Sequence, residues 1–177
     1  MNAWDPNRKV DNSKYSSTDL PTYPTRTLVG HVAMKGAQVG SVVGLFVGVP
    51  LASYLRKLSI SRAWVRVMPI APILGSISTL TLLFAKNYSA PMNEDAIDDR
   101  AFRIMQNKGQ VKVDKYSVVG AAVGVAFGTV IAPGFGTVLA ASSTGLATGT
   151  LYYAAEKYDV WSQLNKLVKS DENKEDN

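Results

Sequence analysis

Long apolar stretches alternate with short charged ones along this chain. Gly36 to Tyr54 holds no charged residue, nor does Val67 to Ala85, which is rich in Leu, Ile and Val. A third uncharged stretch lies between Lys115 and Glu156, and "APGFG" at 132–136 punctuates its middle. A Pro-Gly pair marks a turn, so this stretch predicts two helices joined tightly. A helix crossing the roughly 30 Å hydrocarbon core of a bilayer needs about 20 mainly apolar residues. The pattern therefore predicts an all-α membrane protein with four transmembrane helices, at about 28–54, 64–85, 117–132 and 136–154. A soluble bundle would need a charged face at helical spacing, and these stretches carry none. Pro69 and Pro72 are expected to bend or start the second span.

Glycine recurs at every fourth position in three of the four helices. The first has Gly36, Gly40, Gly44 and Gly48, the third Gly120, Gly124 and Gly128, and the fourth Gly145 and Gly149. Glycine weakens a helix in water by roughly 1 kcal/mol relative to alanine. In lipid the cost of unpaired backbone groups enforces the helix, and small residues let two backbones pack closely. The steps predict helix-packing stripes, with the first helix meeting the third or fourth. Ahead of the first stripe, His31 and Lys35 fall one turn apart on one face. Lys35 is expected to snorkel to the headgroups, and His31, the only histidine, to be a polar packing residue.

The connections carry shorter patterns. Asn93 is a suitable N-cap for an amphipathic helix at about 94–107, with acids early, Arg103 and Lys108 late, and Gly109 as the stop. Ile97, Ala101, Ile104 and Met105 give it one apolar stripe, which suits a surface helix on the membrane or on its own bundle; docking another subunit is the sharper alternative. Tyr152, Tyr153, Tyr158 and Trp161 predict an aromatic belt where the fourth span leaves the lipid, followed by an interfacial helix. The expected organisation is an extended polar tail at 1–26, the four-helix domain at 27–154, and an interfacial helix with a polar tail at 155–177.

Composition sharpens this picture in one respect. The chain has 177 residues, suited to one domain, and its net charge of +5 is unevenly spread. The first connection holds Arg56, Lys57, Arg62 and Arg66 with no acid, whereas basic and acidic residues nearly balance in the long connection. The positive-inside rule weighs short loops most. It places the first connection on the cytoplasm-equivalent side, which in a mitochondrion is the matrix, and both termini on the other. The first residues lack an apolar signal core and contain acids, so no cleavable presequence is expected.

Candidate chemistry is sparse. The sequence has no cysteine, which excludes disulfides and thiolate chemistry. The apolar stretches hold no Asp, Glu or Arg, the usual marks of ion pathways. No paired carboxylates, metal spacing or activated nucleophile stands out, and no glycine run ends in the Lys-Ser/Thr of a phosphate loop. Ser76, Ser78, Thr79, Thr81, Ser142, Ser143, Thr144 and Thr148 either line a wet groove or bond to helix backbone. The expectation is no enzyme, no catalytic or metal site, no nucleic acid or small-molecule substrate, and no cofactor beyond a bound phospholipid.

Four spans, glycine steps in the first and third helices, a basic first loop and no presequence together resemble the mitochondrial inner-membrane translocase family, also called the preprotein and amino-acid transporter family. The likeness covers roughly 28–154. The stretch "VDKYSVVGAAVG" supplies Asp114, Gly120 and Gly124 of that family's signature. Gln110 stands where the signature has an arginine, and the spacing from Asp114 to Gly120 is one residue short. The family includes import-channel subunits and a four-helix accessory subunit of respiratory complex I. The resemblance implies an inner-membrane protein with both termini in the intermembrane space. A degenerate signature suits a structural subunit whose partners are other membrane subunits and lipids. A translocase or small-solute pore subunit, and a homo-oligomeric membrane-shaping protein, are the alternatives.

Overall fold

The computed structural model describes residues 4–7, 9 and 21–159. The interfacial helix expected beyond 159 and most of the N-terminal tail lie outside the described residues. Six helices account for nearly everything described. Helix α1 spans Pro24–Arg56, α2 Ile60–Val67, α3 Ala71–Ser89, α4 Glu94–Gln106, α5 Lys108–Ile131 and α6 Phe135–Lys157. No strand occurs among the described residues.

Local chemistry sets the boundaries. Pro24 opens α1 at its first helical position, where a missing N–H costs nothing. A π-helical turn, Gly44–Gly48, interrupts α1, with the Val49 N–H reaching Gly44 O. It ends two residues before Pro50, which has no proton to offer the carbonyl one turn back. Helix α1 ends on Lys57 in the left-handed conformation, φ 51°. There the Ser53 carbonyl accepts the Leu58 N–H at 3.1 Å, and Ser53 Oγ donates to Leu58 O at 2.8 Å. The first bond satisfies a carbonyl that the helix end leaves open. The expected second span is broken at Met68–Ile70, beside Pro69, and α2 and α3 meet there at 40°.

Two boundaries differ from expectation. The amphipathic helix does not run on to a stop at Gly109. It ends at Gln106, and Asn107 closes it while its side chain accepts the Gln110 N–H to cap the next helix. Helix α5 consequently begins at Lys108, not near 117, and Gly109 lies in its first turn. An asparagine side chain outcompetes glycine here because it satisfies an orphan N–H.

The helices pack as two antiparallel pairs, α1 with α3 and α5 with α6. The pairs meet where α6 contacts α1 and α2, and α4 lies along α1 with Ile97 and Ala101 fully buried. A small core of Val49, Ala63, Met68 and Ala140 joins α1, α2 and α6. Trp64 Nε1 adds a hydrogen bond across this junction to Thr144 Oγ1, at 2.8 Å. Elsewhere large apolar side chains face outward, among them Val39, Phe46, Leu82, Phe127 and Val130. Helices α1 and α5 are long and apolar enough to cross a membrane, and bent α2–α3 together make a third such segment. Helix α6 has the length, but Ser142, Ser143, Thr144, Thr148 and Thr150 make it more polar.

Candidate functional site

The glycine stripes sit where helices touch, but not between the helices expected. The stripe of α1 faces α3, its sequence neighbour, not α5 or α6. A Cβ on Gly36 would strike the Gly75 carbonyl and lie 2.6 Å from Ser76 Cα. On Gly40 it would strike Ala71 O, and on Gly44 the Ala71 methyl. Gly48 meets only the Val67 side chain, at 2.9 Å. In the other pair, Gly120 and Gly145 face each other's carbonyls, Gly124 faces Ala141 O, and Gly149 faces Tyr116 O. Gly128 approaches Val138 Cα at 2.9 Å. Gly75 completes the first crossing from the α3 side, a residue that no glycine step in the sequence marks.

Hydroxyls fasten the first pair. Ser76 Oγ donates to Ala33 O at 2.9 Å, and Thr79 Oγ1 lies 3.1 Å from Val32 O. Ser78, Thr81, Thr144 and Thr148 donate to carbonyls of their own helices. These hydroxyls serve backbone carbonyls, and Ser78 and Thr79 also line one open groove and Thr144 and Thr148 another.

The most polar site lies where α1 meets α5 and α6. His31, Lys35 and Gln38 share one face of α1 through i, i+4, i+7 spacing, and Gln110, Asp114 and Ser117 do the same on α5. Lys35 does not snorkel outward. Its Nζ stands 2.6 Å from Asp114 Oδ1 and 2.6 Å from Gln38 Oε1. Gln38 Nε2, on a side chain only 3% exposed, reaches Asp114 Oδ1 at 2.7 Å and Ser117 Oγ at 3.2 Å. Ser117 Oγ continues to Thr150 Oγ1 at 2.8 Å on α6. His31 Nδ1 lies 3.9 Å from Asp114 Oδ2, beyond hydrogen-bond length. Near the ends of α5 and α6, a second ion pair joins Lys112 to Glu156 at 2.5 Å.

This arrangement neutralises a lysine by a carboxylate where both are largely removed from water. It also ties three helices through short charge-assisted bonds. The His31–Lys35 step was legible in the sequence. Gln38, Gln110, Ser117 and Thr150 were not, and Asp114 carried only its place in the resemblance; the i, i+4, i+7 spacing of polar residues on both helices was the signal available.

Two open grooves flank the crossings. One, of about 720 Å³, follows α1 and α3 and ends between Arg56 and Arg66. The other, of about 560 Å³, follows α5 and α6 beneath Trp64, Tyr116 and Phe127. The four basic residues of the first connection, Arg56, Lys57, Arg62 and Arg66, are all exposed. Among the described residues, no group of three or more His, Asp or Glu is gathered for a metal.

A family model described as a protein of unknown function (DUF1757) matches residues 10–152. No curated protein matches the chain.

Proposed function

The chain belongs to this DUF1757 family, and we propose that it is a non-catalytic, structural subunit of a mitochondrial inner-membrane respiratory assembly, complex I in the first instance. In this reading α6 is a fourth span beside α5, the first connection faces the matrix, and both termini face the intermembrane space. The observation that carries the reading is the polar site. Lys35 and Asp114 are consumed by each other and by Gln38, so this cluster works as a tie between the two helix pairs. Charged groups inside a membrane are costly, and where they drive transport they face a pathway. Large apolar side chains such as Phe46 and Val130 remain on the outer faces for lipid or neighbouring subunits.

The reading predicts that the detergent-solubilised chain migrates on a native gel with respiratory complexes. Co-migration with import machinery would overturn it, as would conductance by the purified chain in a planar bilayer. One observation favours the second reading, a translocase or pore subunit: the groove along α1 and α3 is long and open on one side. The same gel and bilayer measurements separate the two.

A further inference from the structure

We infer that the α1–α3 groove is a binding site for an anionic glycerophospholipid, with its phosphate held by Arg56 and Arg66 and one acyl chain laid along the helix crossing. Gly40 and Gly44 line the groove where α1 packs against Ala71 of α3. Val39, Val43 and Val47 of α1 and Ile70 and Leu74 of α3 form its walls, and each is more than half exposed. From Gly36 to Arg56 the lining follows α1 for roughly 30 Å at about 1.5 Å per residue. That matches the hydrocarbon thickness of a bilayer, of which a chain from one leaflet covers about half. The acyl chain thus lies beside Val47 and Val43, and the headgroup falls where the arginines are.

Charge complementarity selects the headgroup. Arg56 and Arg66 both line the groove near the first connection. Neither makes an ion pair among the described residues. Lys57 and Arg62 add to the same connection, which has no acid between Arg56 and Arg66. Two guanidinium forks suit phosphate oxygens, and basic pockets between membrane helices hold anionic headgroups. A zwitterionic lipid would bring its own cation against this cluster.

The walls select hydrocarbon over peptide. The two hydroxyls at the far end, Ser78 and Thr79, already lie in hydrogen-bond contact with backbone carbonyls. An unsatisfied peptide backbone would find no partner along the valines. The inference rests on the chain's being embedded in a membrane, and not on its membership of a respiratory assembly.

The test uses the full chain in nanodiscs of phosphatidylcholine and phosphatidylglycerol, released into detergent and weighed by native mass spectrometry. Wild type is expected to retain one phosphatidylglycerol. Arg56→Gln with Arg66→Gln should lose it, whereas Arg62→Gln, outside the groove, should keep it. Val43→Trp fills the groove and leaves the arginines intact, so it should lose the lipid too. Val47→Trp, one turn along, serves if Val43→Trp fails to fold. Equal retention of phosphatidylcholine would overturn the inference. So would retention of phosphatidylglycerol by the groove-filled variants, or no retention by wild type. Carbonate extraction of the same preparation reports separately on membrane embedding.

Discussion

Lys35 and Asp114 stand 79 positions apart in the chain, yet Lys35 Nζ donates to Asp114 Oδ1 at 2.6 Å. Both are partly buried, Lys35 26% exposed and Asp114 30%. Removing one partner leaves the other charge with only neutral neighbours such as Gln38. Lys35→Met or Asp114→Leu alone is expected to cost roughly 1–3 kcal/mol, the scale of a stranded polar partner. The double variant should cost less than the sum, because it removes both charges together. Thermal unfolding of the two single variants and the double in detergent measures this. Strict additivity would show that the pair does not hold the helices together. A sequence shows the lysine but not its partner, because nothing local to Lys35 records which distant helix turns Asp114 toward it.

The helix crossings are built from backbone, and this decides which glycines matter. Gly145 faces the Gly120 carbonyl so closely that a Cβ there would force the two helices apart. A backbone cannot step aside as a side-chain end can. Gly145→Ala should therefore lower stability by roughly 1–3 kcal/mol, as overpacking does. Gly30 has nothing within 4 Å of a Cβ, so Gly30→Ala should be neutral or gain up to about 1 kcal/mol from helix propensity. Detergent thermal shifts of these two variants, side by side, distinguish contact glycines from incidental ones; equal effects would remove the packing account. The stripes themselves were legible, since the four-residue step is a pattern in the residues. Their pairing was not, because a step says that a face is flat and not what lies on it. The short connections held the better signal. Ala132–Gly134 leaves α6 no reach beyond α5, and the brief passage through α2 keeps α3 beside α1, as sequential elements usually pack. The capping role of Asn107 was also hidden, because Gly109 offered a stronger stop signal nearby. Gly75 escaped because a single glycine has no period.

Both short connections lie at one end of the molecule. Gly136, just after the α5–α6 turn, approaches the Val65 side chain of α2 at 3.2 Å through its would-be Cβ. The basic residues of the first connection share that end, while α4, the Lys112–Glu156 pair and the start of α1 lie at the other. The charge asymmetry is therefore a property of the assembled bundle and not only of the chain. A bilayer with a preferred side for Lys and Arg orients such a bundle as a unit. The sequence contains no cysteine, so each introduced thiol reports one position without background. Ser59→Cys stands in the basic connection and Ser89→Cys at the far end of α3, and both positions are exposed. In mitoplasts, whose outer membrane is open, a membrane-impermeant maleimide should label the variant at position 89. The variant at position 59 should be labelled only after detergent is added. Labelling at position 59 in intact mitoplasts would invert the topology and place the Arg56–Arg66 cluster in the intermembrane space. Labelling at both positions would mean that the α2–α3 segment does not cross the bilayer. The two thiols thus test the orientation and the spanning of α2–α3 in one measurement, because positions 59 and 89 flank that segment and are separated by a bilayer only if it crosses.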